Sequence, residues 1–180
     1  GDDSAGSKFH AAYFDRFPGV WAHGDFASWT PRGGMIIHGR SDATLNRHGL
    51  RMGSADIYEV VEALDEVTER SGLGIDGPDG AYWMPLFITL AEGRNLDDDL
   101  IVAIRSRIRT KLSPRHVPDY IISSLGIPHT RTGKKLEVPV KQVLRGVAVD
   151  TVVSRQAMAD PAALNSVLER RGMNVISATN

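Results

Sequence analysis

Apolar and polar positions follow two different periods along this chain, and each change of period marks a new element. Val20–Phe26 and Met35–His38 gather aromatic and β-branched residues around Pro- and Gly-containing turn chemistry, which predicts a β-hairpin. From Ser54 the period lengthens. Ile57, Val60, Val61, Leu64 and Val67 recur at three- and four-residue spacing, the signature of one buried helix face. Ser54 is placed to cap that helix, and Asp56 stands near its positive end. Ser71–Asp76 and Ala81–Leu90 flank the turn sequence DGPDG and predict a second hairpin. A second helix opens on Asp97, Asp98 and Asp99 and carries the stripe Leu100, Ile101, Ile104, Ile108 and Leu112. It gathers arginines toward its end and stops before Pro114. Asp119–Leu125 then predicts a strand, VPVKQVLRGV is compatible with a helix, and Pro161–Arg170 predicts a short one. The polar, Gly-rich first ten residues read as a loop. The mixture predicts an α+β fold, with a boundary at 40–44 where the aromatic-rich hairpin gives way to the helix-containing part.

Composition narrows the function. A chain of 180 residues with 42% hydrophobic positions can bury one sizeable core or two small ones. Its 21 basic and 22 acidic residues give a net charge of −1, so no overall electrostatic footprint for nucleic acid or an anionic membrane exists. The absence of cysteine removes disulfides, a catalytic thiol and thiolate metal sites, and fits a reducing cytoplasm, the expected location. No apolar run approaches membrane-spanning length, and the basic-then-apolar pattern of a signal peptide is missing. Because it begins with Gly1, the chain is read as a segment or a processed product.

Several residues are candidates for chemistry. Asp25, in HGDF, is either part of a simple Gly-Asp turn or a carboxylate able to accept two hydrogen bonds from the vicinal hydroxyls of a ribose. Arg40 and Arg51 are either solvated surface charges or planar forks converging on a phosphate, with Gly39 and Gly49 permitting close backbone approach. Lys134 lies on a Thr-Gly loop. It is either an ordinary exposed lysine or an ammonium that offsets charge developing as a carboxylate attacks an α-phosphate. Arg109, on the basic end of the second helix, is either a solvated, dipole-compatible charge or a ligand for a terminal phosphate. The six histidines show no paired metal-ligand spacing, so no metal site is expected. Neither a Gly-rich phosphate loop nor a G-x-S-x-G elbow is present.

HGDF, GRSDATLNRHGLR and IPHTRTGKKLEV stand in the order and at the separations of the adenylate-forming superfamily of acyl-CoA synthetases, luciferases and peptide-synthetase adenylation domains, which the chain resembles. Within it, FPGVWAHGDF, GSADIY, LSPRHVP and GKKLEVPVK are most similar to the acetoacetyl-CoA synthetases, from about Tyr13 to Lys141. The resemblance implies a small C-terminal domain over residues 41–150, a short sheet packed with helices, preceded at 1–40 by a hairpin that ends the large N-terminal adenylation domain. Residues 151–180 would be a C-terminal extension. It also implies roles: Asp25 on the ribose, Arg40 and Arg51 near the nucleotide phosphate, Asp42 as hinge, and Lys134 for adenylate formation. His48 and Gly49 would meet the pantetheine of CoA, and Arg109 a CoA phosphate. Asp56 stands where relatives commonly carry glutamate. The implied substrates are acetoacetate, ATP with Mg²⁺, and CoA, the implied partner is the N-terminal adenylation domain, and the 180 residues alone are expected not to turn over ATP. A different short-chain acyl-CoA ligase, such as an acetyl-CoA synthetase, and a non-catalytic binding or regulatory module remain the alternatives.

Overall fold

The sequence PLFITL has no polar alternation, which is the pattern of a strand covered on both faces. In the computed structural model, which describes residues 5–47, 49–76 and 81–169, this segment is the central strand of the main sheet. In chain order the elements are α1 (Ser7–Tyr13), β1 (Asp25–Trp29), β2 (Met35–Arg40), β3 (Leu45–Arg47), β4 (Leu50–Met52) and α2 (Ser54–Glu62). β5 (Val67–Gly72), β6 (Ile75–Asp76), β7 (Tyr82–Trp83), β8 (Pro85–Leu90), α3 (Asp98–Lys111) and β9 (Tyr120–Ser123) follow. The last helices are α4 (Glu137–Leu144), α5 (Val149–Val152) and α6 (Pro161–Glu169).

The sheet has the order β5-β8-β9, with β5 antiparallel and β9 parallel to β8. A parallel neighbour requires a crossover, and α3 supplies it. Leu86 and Ile88 of β8 join a core with Ile57 and Val61 of α2 and Ile104 and Ile108 of α3. Phe87, pointing the other way, joins Val140 and Leu144 of α4 and Leu164 and Val167 of α6. The α+β reading is thus realised as a three-stranded main sheet between two layers of helix, with three two-stranded sheets beside it among the described residues.

The second helix follows its sequence closely: the Asp97 carboxylate accepts from the Leu100 amide at 2.8 Å, and Arg109 and Lys111 lie in the last turn. The strands of the second hairpin also pair, β5 with β8 and β6 with β7, residues 77–80 of its turn lying outside the described residues, but β5 begins at Val67. Val67 therefore lies in the sheet and not on the helix stripe. α2 ends at Glu62 because turn bonds from the Leu64 amide to Val61 and from the Val67 amide to Leu64 redirect the chain. Ser54 is the first helical residue, and Gly53 takes the capping position without a side-chain bond.

Two further local expectations are corrected. The opening segment is helical from Ser7, since Phe9 and Tyr13 pack together and Tyr13 stacks on Trp21 at 4.2 Å, giving the helix an aromatic face that packs on the following segment. Trp21 is consequently held by α1, and Gly24 at φ +83° breaks extended geometry, so the first strand starts at Asp25 instead of Val20. The turn around Gly49 is itself a hairpin, β3 against β4. Arg170, the last residue expected in the final helix, lies outside the described residues. No helix among the described residues is long and apolar enough to cross a membrane.

Candidate functional site

The antiparallel register of β1 and β2 sets Asp25 directly opposite Arg40. Arg40 Nη1 lies 3.7 Å from Asp25 Oδ1 and donates to the His23 carbonyl at 2.8 Å, while its Nε donates to Asp42 Oδ1 at 3.4 Å. The other Asp25 oxygen is 2.6 Å from His23 Nδ1. A Cβ at Gly24 would meet the Arg40 guanidinium at 2.7 Å, so this glycine makes room for the arginine to lie flat over the turn. Arg51, exposed on β4, sits over the Phe26 ring at 5.9 Å. Asp25, Phe26, Arg51 and Trp21 share an open cleft of about 670 Å³ whose walls are mainly apolar. A carboxylate and a guanidinium at the rim of such a cleft suit a nucleoside with a charged tail.

Arg40 lines a second cleft, of about 280 Å³, with Asp42, Lys134 and Glu137. The turn carrying Lys134 is closed by its own backbone. Thr130 donates to the Lys134 carbonyl at 2.8 Å, Gly133 to Thr130 at 2.9 Å, and the Lys134 amide donates to Thr130 Oγ1 at 3.0 Å. Gly133 at φ +82° permits that reversal and leaves Lys134 exposed. Asp25 and Arg51 therefore line one cleft and Arg40, Asp42 and Lys134 a second, and the Arg40 guanidinium lies 3.7 Å from Asp25 of the first.

The other sequence candidates stand apart. Gly49, exposed at φ +78°, occupies the β3–β4 turn, where nothing lies within 4 Å of the position a side chain would take. That turn is fastened by Arg47, which donates to the Val117 carbonyl at 2.6 Å and pairs with Asp119. Arg109 is exposed on α3 and lines neither cleft. His48 lies outside the described residues. Asp56, flagged for its shortened side chain, lies 3.5 Å from His38 Nδ1, and the His38 Nε2 is 2.8 Å from Ser28 Oγ.

One group escaped the sequence reading. Tyr58 donates to Glu137 Oε1 at 2.5 Å and accepts from the Gly72 amide at 2.9 Å. Lys135 Nζ lies over the Tyr58 ring at 4.2 Å and donates to the Arg70 carbonyl at 2.8 Å. Burial raises the Glu137 carboxyl above the usual carboxylate range and lowers the Lys135 ammonium below the usual lysine range. Burial likewise raises the Tyr58 phenol, so it stays protonated and donates. Lys135 and Glu137 are within KKLE, yet nothing local in the sequence separates these inward charges from the outward Lys134.

No protein-family model matches the chain. It is 49% identical over 91% of its length to an acetoacetyl-coenzyme A synthetase of Rhizobium meliloti (strain 1021), and 47% identical over 91% to an acetoacetyl-CoA synthetase of Mus musculus. It spans only 25% and 24% of those two proteins. The solved acetoacetyl-CoA synthetase from Streptomyces lividans superposes on 95% of this chain with a TM-score of 0.85 and 49% identity, again over 25% of that protein. An anthranilate CoA ligase, AuaEII, shares the fold over 68% of this chain, with a TM-score of 0.63 and 22% identity. By sequence and by fold, the chain is a homologue of the C-terminal part of the acetoacetyl-CoA synthetases, within the adenylate-forming superfamily.

Proposed function

We propose that this chain is the C-terminal part of an acetoacetate–CoA ligase, which joins acetoacetate to CoA through an acyl-adenylate at the expense of ATP. The observation that carries the reading is the meeting of Arg40, Asp42 and Lys134 at one cleft, in a chain 49% identical to such a ligase over 91% of its length. In the first half-reaction a carboxylate oxygen bonds to the α-phosphorus and the bond to pyrophosphate breaks. Asp25 accepts the ribose hydroxyls, Arg40 and Arg51 face the phosphate, and the Lys134 ammonium offsets the charge that builds between the two anions. Mg²⁺ enters with the nucleotide as part of the substrate; among the described residues no three carboxylate or imidazole side chains gather to hold an ion.

In the second half-reaction the CoA sulfur bonds to the acyl carbon, AMP departs with the bonding pair, and the thiol proton passes to water. Rotation about Asp42 withdraws Lys134 and brings the His48–Gly49 turn to the pantetheine, with Arg109 on a CoA phosphate. A hinge of this kind needs only a few dihedral changes, and Asp42 lies in the short link between β2 and β3. The partner in that motion is the large N-terminal adenylation domain, residues 1–40 being its last segment and 41–150 the mobile unit. The setting is cytoplasmic.

Mutation of opposite faces in the full-length ligase separates the half-reactions. Lys134→Ala is expected to slow pyrophosphate exchange by about 10²–10³-fold, the scale of removing one transition-state donor, while thioester formation from preformed acyl-adenylate persists. Gly49→Leu is expected to do the reverse. Equal slowing of both steps by both variants would overturn the rotation.

A further inference from the structure

We propose that Tyr58, Lys135 and Glu137 are positioning residues that aim Lys134, by tying the C-terminal end of its loop to α2 and β5. The inference rests on the functional reading above for what Lys134 does, and on geometry for how it is held. The turn from Thr130 to Lys134 closes on its own hydrogen bonds, and on its N-terminal side the Arg131 amide donates to the Ala157 carbonyl at 3.1 Å and the Ala159 amide to the His129 carbonyl at 3.0 Å, which ties that side to the segment before α6. Attachment to α2 and β5 comes from the residues just after Lys134. The Lys135 ammonium reaches across to the Arg70 carbonyl of β5 at 2.8 Å and covers the Tyr58 ring at 4.2 Å. Glu137, the first residue of α4, receives the Tyr58 hydroxyl at 2.5 Å. That hydroxyl is itself fixed by the Gly72 amide at 2.9 Å. A single phenol on α2 therefore meets both anchors, one at its face and one at its oxygen.

Stability alone does not call for this arrangement. Apolar side chains of similar volume commonly replace partly buried charges with no loss of stability, whereas a set of directional bonds admits one geometry. Glu137 also lines the cleft that holds Lys134, Arg40 and Asp42, so the anchor and the lysine face the same space. An ammonium that must meet developing charge loses much of its effect when displaced by about 1 Å.

Two measurements judge the inference separately from the functional reading. In this chain of 180 residues, Tyr58→Phe removes one hydroxyl, and amide hydrogen exchange at Gly133–Leu136 is expected to rise about tenfold while β8 and β9 keep their protection. In the full-length ligase, Tyr58→Phe and Lys135→Met are expected to lower kcat of the adenylate-forming half-reaction about tenfold, with KM for ATP changed less than about twofold. Lys135→Arg should restore most of that loss, and the thioester step should be untouched. In a Lys134→Ala background, Tyr58→Phe should cost nothing more, because it acts through that lysine. Unchanged loop exchange, or a full additional loss on top of Lys134→Ala, overturns the inference. An intact first half-reaction in Lys134→Ala overturns the functional reading instead, and the exchange measurement then decides the anchoring by itself.

Discussion

Replacement of Asp119 by alanine tests how the Gly49 turn is held to the domain. One Asp119 oxygen accepts the Met84 amide at 2.7 Å, and the other pairs with Arg47, which also donates to the Val117 carbonyl at 2.6 Å. Asp119 is 27% exposed and Arg47 19%, so water partly screens the pair. Asp119→Ala leaves the amide of Met84, a residue 1% exposed, without its acceptor. An orphaned donor of this kind costs about 1–3 kcal/mol, and loss of the screened ion pair adds about 1 kcal/mol. A total of about 2–4 kcal/mol is expected from urea unfolding. Asp119→Asn keeps an oxygen for the Met84 amide and should cost roughly 1–2 kcal/mol, the charge-assisted part alone. Arg47→Met should fall in the same range, and the double variant with Asp119→Ala should cost less than the sum. A loss below about 1 kcal/mol for Asp119→Ala, or strict additivity with Arg47→Met, would refute the reasoning and release the turn from this anchor.

Gly53 has φ −77°, ordinary for any residue, but a Cβ there would lie 2.3 Å from the His38 carbonyl oxygen. Gly53→Ala should therefore cost about 1–3 kcal/mol by forcing β2 from the start of α2, and an unchanged thermal midpoint would show that the two segments separate freely. Burial raises the Glu137 carboxyl above its ordinary value of 4.5, so between that value and the raised one the folded state holds the proton while the unfolded chain has released it. The stability of the native chain relative to Glu137→Gln should then fall as pH rises through that window and level off above it; a flat or rising difference in urea titrations would contradict burial as the dominant influence.

Much of the framework was legible because its causes are local. The stripe of α3, its Asp97 cap and its basic last turn are decided within a few residues of each other, and the helix formed as read. Ala81–Leu90 announced a hairpin strand, although not that helices would cover both faces of β8. Local reading failed where a distant packing choice decided the outcome. Val67 satisfies a helix stripe and a strand equally well, and its pairing with Leu90 in the sheet settles the matter. Trp21 suits a strand by composition, but stacking on Tyr13 draws it to α1.

The candidate site divides along the same line. The sequence by itself supplied the candidate side chains for a phosphate and placed Lys134 on a Thr-Gly loop. Only the tertiary structure decided which charges face inward and with whom. Tyr58 meets Glu137 across a separation of 79 residues, and Arg47 meets Asp119 across 72. Lys134 and Lys135 are chemically identical neighbours, yet one is exposed and the other lies over a phenol ring. Their difference arises from which face of the loop α2 and β5 approach. That approach is set by packing β8 between two helical layers, and no local window of the sequence contains it.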